Sequence, residues 1–314
     1  MINRVAVVGA GTMGHGIAQA FAMNGIDVSL VDTTQDILDK ARTNIANNLR
    51  VFLEEGLITE DVIGRTLDNI HFLTDLKEAL AEAQYVIEAV PEQLALKQEL
   101  FRLMDRTTPE SAVLSSNTSS LKLTDMTVHV SNRRKPRVMI THWYNPPHIV
   151  PLVEILSPEN ADPEAVKAVV QLYDRIGKKV VRVLKEIPGL VANRIQQAIA
   201  REVFWLMEHG VASPEDIDRA LKFGPAFRYA TSGQLEIADL GGLDIWCIVG
   251  DQLLKELDDS KQANRLLREK VAKGELGVKS GRGFFDYTGP KKDEAVKKYT
   301  KKLINQLKAS RFYE

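Results

Sequence analysis

Arg4-Val5-Ala6-Val7-Val8-Gly9-Ala10-Gly11-Thr12-Met13-Gly14 decides how this chain folds. The apolar run from Val5 to Val8 is too short and too β-branched for a helix and reads as a buried parallel strand. Glycines at 9, 11 and 14 follow at once and lead into a helix that ends near Asn24-Gly25. A second strand, Val28 to Val31, ends on the acid Asp32. Strand, glycine turn, helix, strand and acid in this order predict a dinucleotide-binding unit. Gly9 permits the tight turn, Gly11 lets a pyrophosphate approach the backbone, and Gly14 lets the helix lie close to the sheet. The N–H groups of the helix start, with Thr12 and Met13 in the turn, then face the phosphates. Asp32 is placed to accept hydrogen bonds from ribose hydroxyls and to repel a 2′-phosphate. Thr33 and Thr34 stand where an NADP protein often has an arginine, so the cofactor expected is NAD.

Outward from this unit, short apolar runs alternate with helical stretches as far as Leu184, as in a doubly wound sheet. Further strands are expected at Ile70–Leu73, Tyr85–Ala89, Val113–Ser116, Val138–His142, Val153–Ile155 and Lys179–Leu184. Between the second strand and Ile70 the repeat is broken. Ile37, Leu38, Ala41, Ile45, Leu49 and Phe52 line one long amphipathic helix that Gly56 ends, and Thr59 caps a second helix. This helical hairpin either projects over the site or packs on the sheet. Glu186-Ile187-Pro188-Gly189 marks a boundary, beyond which only helical periodicity occurs. The expected architecture is α/β: a Rossmann-type sheet domain with a helical hairpin insertion over 1–186, then an all-α substrate and dimerisation domain over 187–314.

The 314 residues suit two cores. A formal charge of −1 offers no global field for nucleic acid or an anionic membrane. Interleaved acids make the lysine-rich stretch Lys291 to Lys308 a solvated helix face, and Arg133-Arg134-Lys135 reads as a solvated loop. The single cysteine, Cys247, lies in an apolar stretch and is expected to pack as a small hydrophobe. Without a disulfide, a leader or an apolar span, a cytoplasmic location is expected. No metal is expected, because the histidines lack ligand spacing, and the glycine loop lacks the Lys-Ser/Thr of an ATP-type loop.

In such a sheet, chemistry sits beyond the carboxyl ends of the strands. Ser116-Asn117-Thr118-Ser119-Ser120 follows one strand and offers hydroxyls and amides to a ligand, or serves as a turn with helix caps. His142 ends another, within Thr141-His142-Trp143-Tyr144-Asn145-Pro146-Pro147, and Glu154 lies in the apolar run Leu152-Val153-Glu154-Ile155. Pro146-Pro147 turns the chain, so the two segments return side by side as a hairpin and Glu154 reaches His142. A buried carboxylate needs a partner, and the imidazole supplies one whose tautomer it fixes. His148 is the rival base; His15 serves packing or phosphate contact.

Together these residues resemble the L-3-hydroxyacyl-CoA dehydrogenase family over nearly the whole chain. The likeness rests on Gly9–Gly14, Ile87-Glu88-Ala89-Val90-Pro91-Glu92, the 116–120 run, His142-x-x-Asn145-Pro146 and Leu152-Val153-Glu154. Pro188-Gly189-Leu190-Val191-Ala192-Asn193-Arg194 and Gly277 to Tyr287 complete it. The resemblance implies that His142 is the general base paired with Glu154, and that Ser119 and Asn193 hold the reacting oxygens. It implies that Glu92, Lys97 and Asn117 contact NAD, that Asn145 lies near the substrate, and that the protein is a homodimer through its helical domain. It also implies oxidation of a short-chain L-3-hydroxyacyl-CoA, such as 3-hydroxybutyryl-CoA, in fatty acid metabolism. Three departures keep the substrate open. Acids Glu54 and Glu55 stand where acyl-CoA members carry lysines, although Arg50 and Lys122 remain for a CoA phosphate. Pro151 replaces a lysine, and Phe227-Arg228-Tyr229 replaces a His-Pro-Met-type turn. The last two features are nearer the L-gulonate and L-carnitine dehydrogenase branch, in which Arg228 would bind a free carboxylate. A non-catalytic NAD-binding protein is the third reading.

Overall fold

The computed structural model describes residues 1–313. The chain divides into two compact units, Met1–Val191 and the residues from Ala192 onward.

The first unit is built on eight strands. They are β1 (Arg4–Val8), β2 (Asp27–Val31), β3 (Ile70–Leu73), β4 (Tyr85–Glu88), β5 (Val113–Ser116), β6 (Val138–Trp143), β7 (Leu152–Leu156) and β8 (Lys179–Val183). They form one sheet in the order β3-β2-β1-β4-β5-β6-β7-β8. Neighbours pair in parallel except β6 with β7. From β1 the chain builds outward to β3 and then returns to start β4 on the other side of β1. That reversal opens the crevice in which such sheets bind ligands.

Helices α1 (Gly14–Met23), α2 (Gln35–Glu54), α3 (Glu60–Asp68), α4 (Leu76–Leu80), α5 (Leu94–Thr107), α6 (Leu123–Met126) and α7 (Pro163–Arg175) cover the sheet. Alternate strand residues feed two cores. Val5, Val7, Val28, Leu30 and Ile87 lie in one, and Ala6, Val8, Val31, Val86 and Leu114 in the other. Burial on both faces is why these strands are apolar without alternation. The α2–α3 insertion packs rather than projects along its inner face, because Leu38, Ala41, Ile45, Leu49 and Phe52 are all buried. Thr59 occupies the N-cap position of α3, but its hydroxyl bonds to the Asp61 side chain instead of a backbone N–H. Residues 187–191 go with the sheet: Gly189 N donates to Ser119 O at 3.2 Å, and Leu190 is buried.

The second unit is helical: α8 (Ala192–Glu208), α9 (Pro214–Phe223), α10 (Pro225–Tyr229), α11 (Gln234–Gly241), α12 (Leu243–Leu253), α13 (Arg265–Ala272) and α14 (Lys291–Ser310). Ser213 caps α9 by accepting from Asp216 N at 3.1 Å, and Pro214 sits in the first turn. Many apolar side chains of this unit are exposed, among them Phe223, Phe227, Leu235, Leu240, Leu243 and Leu254. This corrects the expectation for Cys247, which is exposed. It lies on α12, where Ile245, Ile248 and Val249 are exposed as well, so an apolar run there does not mark a core. Among the described residues no helix is long and apolar enough to cross a membrane.

Candidate active site

The glycine turn stands at the carboxyl end of β1, beside the reversal. Gly9 has φ +99°, and a Cβ there would lie 2.8 Å from Ala89 O. At Gly14 a Cβ would lie 1.7 Å from Gly9 O, so the helix can start this close to the turn only with glycine. At Gly11 a Cβ would meet nothing within 4 Å, which leaves the backbone open on that side. Met13 is the N-cap of α1 and makes no side-chain cap, and no acid lies in the first turn. An uncapped helix start behind an open, exposed Gly11-Thr12 backbone fits a pyrophosphate. Asp32, at the tip of β2, accepts from Ala10 N and from Thr33 N, both at 2.7 Å. One carboxylate thus ties the turn to the strand and still has lone pairs for a ribose.

Across the crevice, the ends of β4 and β5 are joined by a buried charge network. Glu88 and Lys97 are fully buried, with Lys97 Nζ 2.7 Å from Glu88 Oε1 and 3.1 Å from Glu92 Oε2. Glu88 also accepts from Ser116 Oγ at 2.6 Å and Val90 N at 2.7 Å. Glu92 accepts from Thr118 Oγ1 and, at 2.8 Å, from Ser120 Oγ. Burial works to raise the Glu92 pKa, but the hydrogen bonds from Thr118 and Ser120 and the Lys97 charge outweigh it and hold it at about 2. Thr118 and Ser120 are therefore both pinned, with half-buried Ser119 between them. Asn117 Oδ1 accepts from Trp143 N at 2.8 Å and binds the end of β5 to the end of β6.

The β6–β7 hairpin expected from Pro146-Pro147 is present, and His142 and Glu154 are direct antiparallel partners. His142 Nδ1 lies 2.9 Å from Glu154 Oε2, while Glu154 Oε1 accepts from Val191 N at 2.8 Å. Glu154 is wholly buried and His142 is 6% exposed. A carboxylate can only accept, so in the neutral imidazole Nδ1 carries the proton and Nε2 the lone pair. His148 does not share this arrangement. Its ring lies 5.8 Å from that of Phe52 and 6.4 Å from that of His15, and burial pushes its pKa down to about 3. Its Nδ1 has no hydrogen-bond partner and its basicity is lowered, so it is the weaker of the two candidate bases.

The structure thus brings Gly9, Gly11, Thr12, Met13, Gly14, Asp32, Glu92, Lys97, Asn117, Ser119, His142 and Glu154 to the carboxyl ends of one sheet. Asn145 is exposed in the hairpin turn, and Arg50 is exposed on α2 beside the acidic Glu54. Asn193 opens α8 and Arg228 lies on α10, both in the helical unit. The solvated-loop reading of 133–135 fails at Arg134, which is buried and donates to Asp105 Oδ1, Pro109 O and Ala112 O at 3.2, 2.9 and 2.8 Å. Sequence reasoning gave no role to buried Glu88 and Lys178. Glu88 anchors the network above, and Lys178 donates to Pro147 O and Val150 O at 2.6 and 2.8 Å. Among the described residues no group of three or more His, Cys, Asp or Glu is placed to hold a metal ion.

A Rossmann unit with an NAD-type acid and an open phosphate turn defines an NAD-binding protein, and its relatives make it an NAD-dependent oxidoreductase. Comparison with known proteins agrees. The NAD-binding-domain model of 3-hydroxyacyl-CoA dehydrogenase matches residues 4–187, and the C-terminal-domain model of that enzyme matches 189–287. The chain belongs to the 3-hydroxyacyl-CoA dehydrogenase family. It is 32% identical over 296 residues to 5-formyl-3-hydroxy-2-methylpyridine 4-carboxylate 5-dehydrogenase of Mesorhizobium japonicum, covering 94% of each chain. The crystal structure of a 5-formyl-3-hydroxy-2-methylpyridine 4-carboxylic acid 5-dehydrogenase, an NAD+ dependent dismutase, matches with a TM-score of 0.90 at 31% identity over 100% of both chains. That of (S)-3-hydroxybutyryl-CoA dehydrogenase from Ralstonia eutropha matches with a TM-score of 0.74 at 33% identity, over 92% of this chain and 100% of that one.

Proposed function

We propose that this protein oxidises a hydroxyl-bearing carbon of a free, carboxylate-bearing small molecule, an alcohol or a hydrated aldehyde, with NAD. The observation that carries the reaction is the buried His142–Glu154 pair, 2.9 Å apart at the strand ends. NAD, when bound, supplies the hydride acceptor. His142 Nε2 takes the hydroxyl proton, and Glu154 stabilises the imidazolium that forms. Ser119, fixed between two clamped neighbours, orients the oxygen, and Asn145 lines the approach. Glu92, Lys97 and Asn117 join the glycine turn and Asp32 in holding NAD. Asn193 and Arg228 are the proposed substrate contacts of the helical unit, Arg228 as the partner of a carboxylate.

Two observations support a free substrate over a thioester. The likeness to the pyridine-carboxylate enzyme extends over the whole chain at the higher TM-score. Glu54 and Glu55, at the end of α2, put acids where the family resemblance implies lysines for CoA, a poor match for its phosphates. Oxidation of a short L-3-hydroxyacyl-CoA is the second reading, favoured by the family models and by exposed Arg50. The exposed apolar side chains of the helical unit support a homodimer through that unit.

Following NADH absorbance at saturating NAD tests the substrate. The panel is 3-hydroxybutyryl-CoA, free 3-hydroxybutyrate, L-gulonate, L-carnitine and 5-formyl-3-hydroxy-2-methylpyridine 4-carboxylate. Turnover confined to the thioester overturns the main reading in favour of the second.

A further inference from the structure

The turn that joins β6 to β7 is held from several sides. On one, a Cβ at Gly16 of α1 would lie 2.8 Å from Pro147 Cγ and 3.0 Å from His148 Nδ1, so the turn rests directly on the cofactor helix. Phe52 of α2 packs on the His148 ring. Lys178, one residue before β8, reaches the same turn: its ammonium donates to Pro147 O and Val150 O, and lies 4.5 Å from the centre of the Trp143 ring. Lys178 is 6% exposed. The titratable groups that meet at this turn are His148, His15 and Lys178: burial lowers the pKa of Lys178, and burial with the charges of His15 and Lys178 lowers that of His148.

A buried lysine that binds two peptide carbonyls without an acid is costly, and a simple hairpin turn does not need it. Its two acceptors lie in the stretch between His142 and Glu154. We propose that Lys178 is a positioning residue: by holding the carbonyls of Pro147 and Val150 it seats the turn on Gly16, and so fixes where the His142 imidazole stands relative to the cofactor helix. The inference rests on reading His142 as the base.

The test uses full-length Lys178→Met with bound NADH and three readouts. First, kcat on whichever compound of the panel the parent turns over falls on the order of 10- to 100-fold, as a small misplacement of a base requires. Second, the NADH Kd, from fluorescence, stays within about threefold because the phosphate turn is untouched. Third, the ring carbon of His148, observed by NMR in protein labelled with 13C-histidine, titrates near the ordinary imidazole value of about 6.5. In the parent the buried ring, whose pKa burial pushes down to about 3, is expected not to titrate in the neutral range. A parental kcat, or a kcat loss with His148 still not titrating there, overturns the proposal. If the parent turns over nothing in the panel, the base reading fails, and the His148 resonance still decides whether Lys178 seats the turn. If Lys178→Met does not fold, Lys178→Gln, which keeps a donor for one carbonyl, carries the same three readouts.

Discussion

Glu154 faces His142 across the β6–β7 strand pair in direct register, and the contact closes at 2.9 Å. Strand geometry makes this pair rigid, because opposed residues of an antiparallel pair have side chains on the same face. His142→Gln removes the proposed base and leaves the phosphate turn and Asp32 alone. It is expected to lower kcat by on the order of 10²- to 10⁴-fold, with NADH affinity unchanged by fluorescence titration. Glu154→Gln keeps the shape and loses the charge that steadies the imidazolium, so it lowers kcat by on the order of 10-fold or more. Activity close to parental in His142→Gln would show that the proton goes elsewhere.

Gly11 and Gly14 separate binding from folding. A methyl at 14 meets the Gly9 carbonyl oxygen at 1.7 Å, and a backbone atom cannot move aside cheaply. Gly14→Ala is expected to cost at least about 2 kcal/mol in stability and to abolish NAD binding. A methyl at 11 meets no protein atom within 4 Å. Gly11→Ala is expected to leave stability within about 0.5 kcal/mol of the parent. NAD affinity falls about tenfold or more, because the methyl occupies the approach of the pyrophosphate. Urea melts and NADH fluorescence on both variants check the pair, and equal affinities for parent and Gly11→Ala would place the phosphates elsewhere.

Much of this was legible in the residues. Both faces of β1, β2 and β4 are buried, so their apolar runs carry the sheet signal without alternation, and Pro146-Pro147 forces the return that brings Glu154 to His142. The sequence shows the insertion but not whether it packs, because an amphipathic face looks the same whichever surface it meets. Cys247 is exposed, which its sequence does not show for a related reason: an apolar helical run does not distinguish a core from a face left exposed in a single chain. Glu88 and Lys178 escaped because their partners come from the fold. Lys97 reaches Glu88 only once α5 lies on the ends of β4 and β5, and nothing in Gly177-Lys178-Lys179 marks its first lysine as buried.

The Glu88–Lys97 pair is the buried charge contact on which the NAD side of the crevice stands. Lys97→Ala leaves the Glu88 carboxylate buried and uncompensated. A loss of about 3–5 kcal/mol in a urea melt is expected. The Glu88→Gln/Lys97→Met double variant removes both charges and is expected to recover a large part of that loss, because two neutral groups no longer bear the cost of a lone buried charge. It is also expected to bind NADH more weakly than the parent, since Glu92 has lost its cation. A double variant as unstable as Lys97→Ala would show that packing around the lysine stem, and not charge, sets the cost.

Lys178 gives stability a pH dependence whose sign can be worked out. Burial holds its folded-state pKa down at about 7, against 10.5 for the ordinary side chain. Below pH 7 the ammonium is charged in both states, and the folded protein carries the full cost of burying it. Between pH 7 and 10.5 the folded state releases the proton while the unfolded chain keeps it. The unfolded state then binds more protons, and stability rises with pH. The span of the effect is on the order of 5 kcal/mol at most. Other groups titrate in this range, so the quantity to measure is the stability of the parent minus that of Lys178→Met, from urea melts at pH 6.5, 8 and 9.5. This difference is expected to move in favour of the parent as pH rises, because only the parent sheds the buried charge. A difference that stays flat across the three pH values would mean that the ammonium remains protonated in the folded protein, held by the carbonyls of Pro147 and Val150 and the face of Trp143 more strongly than burial opposes it.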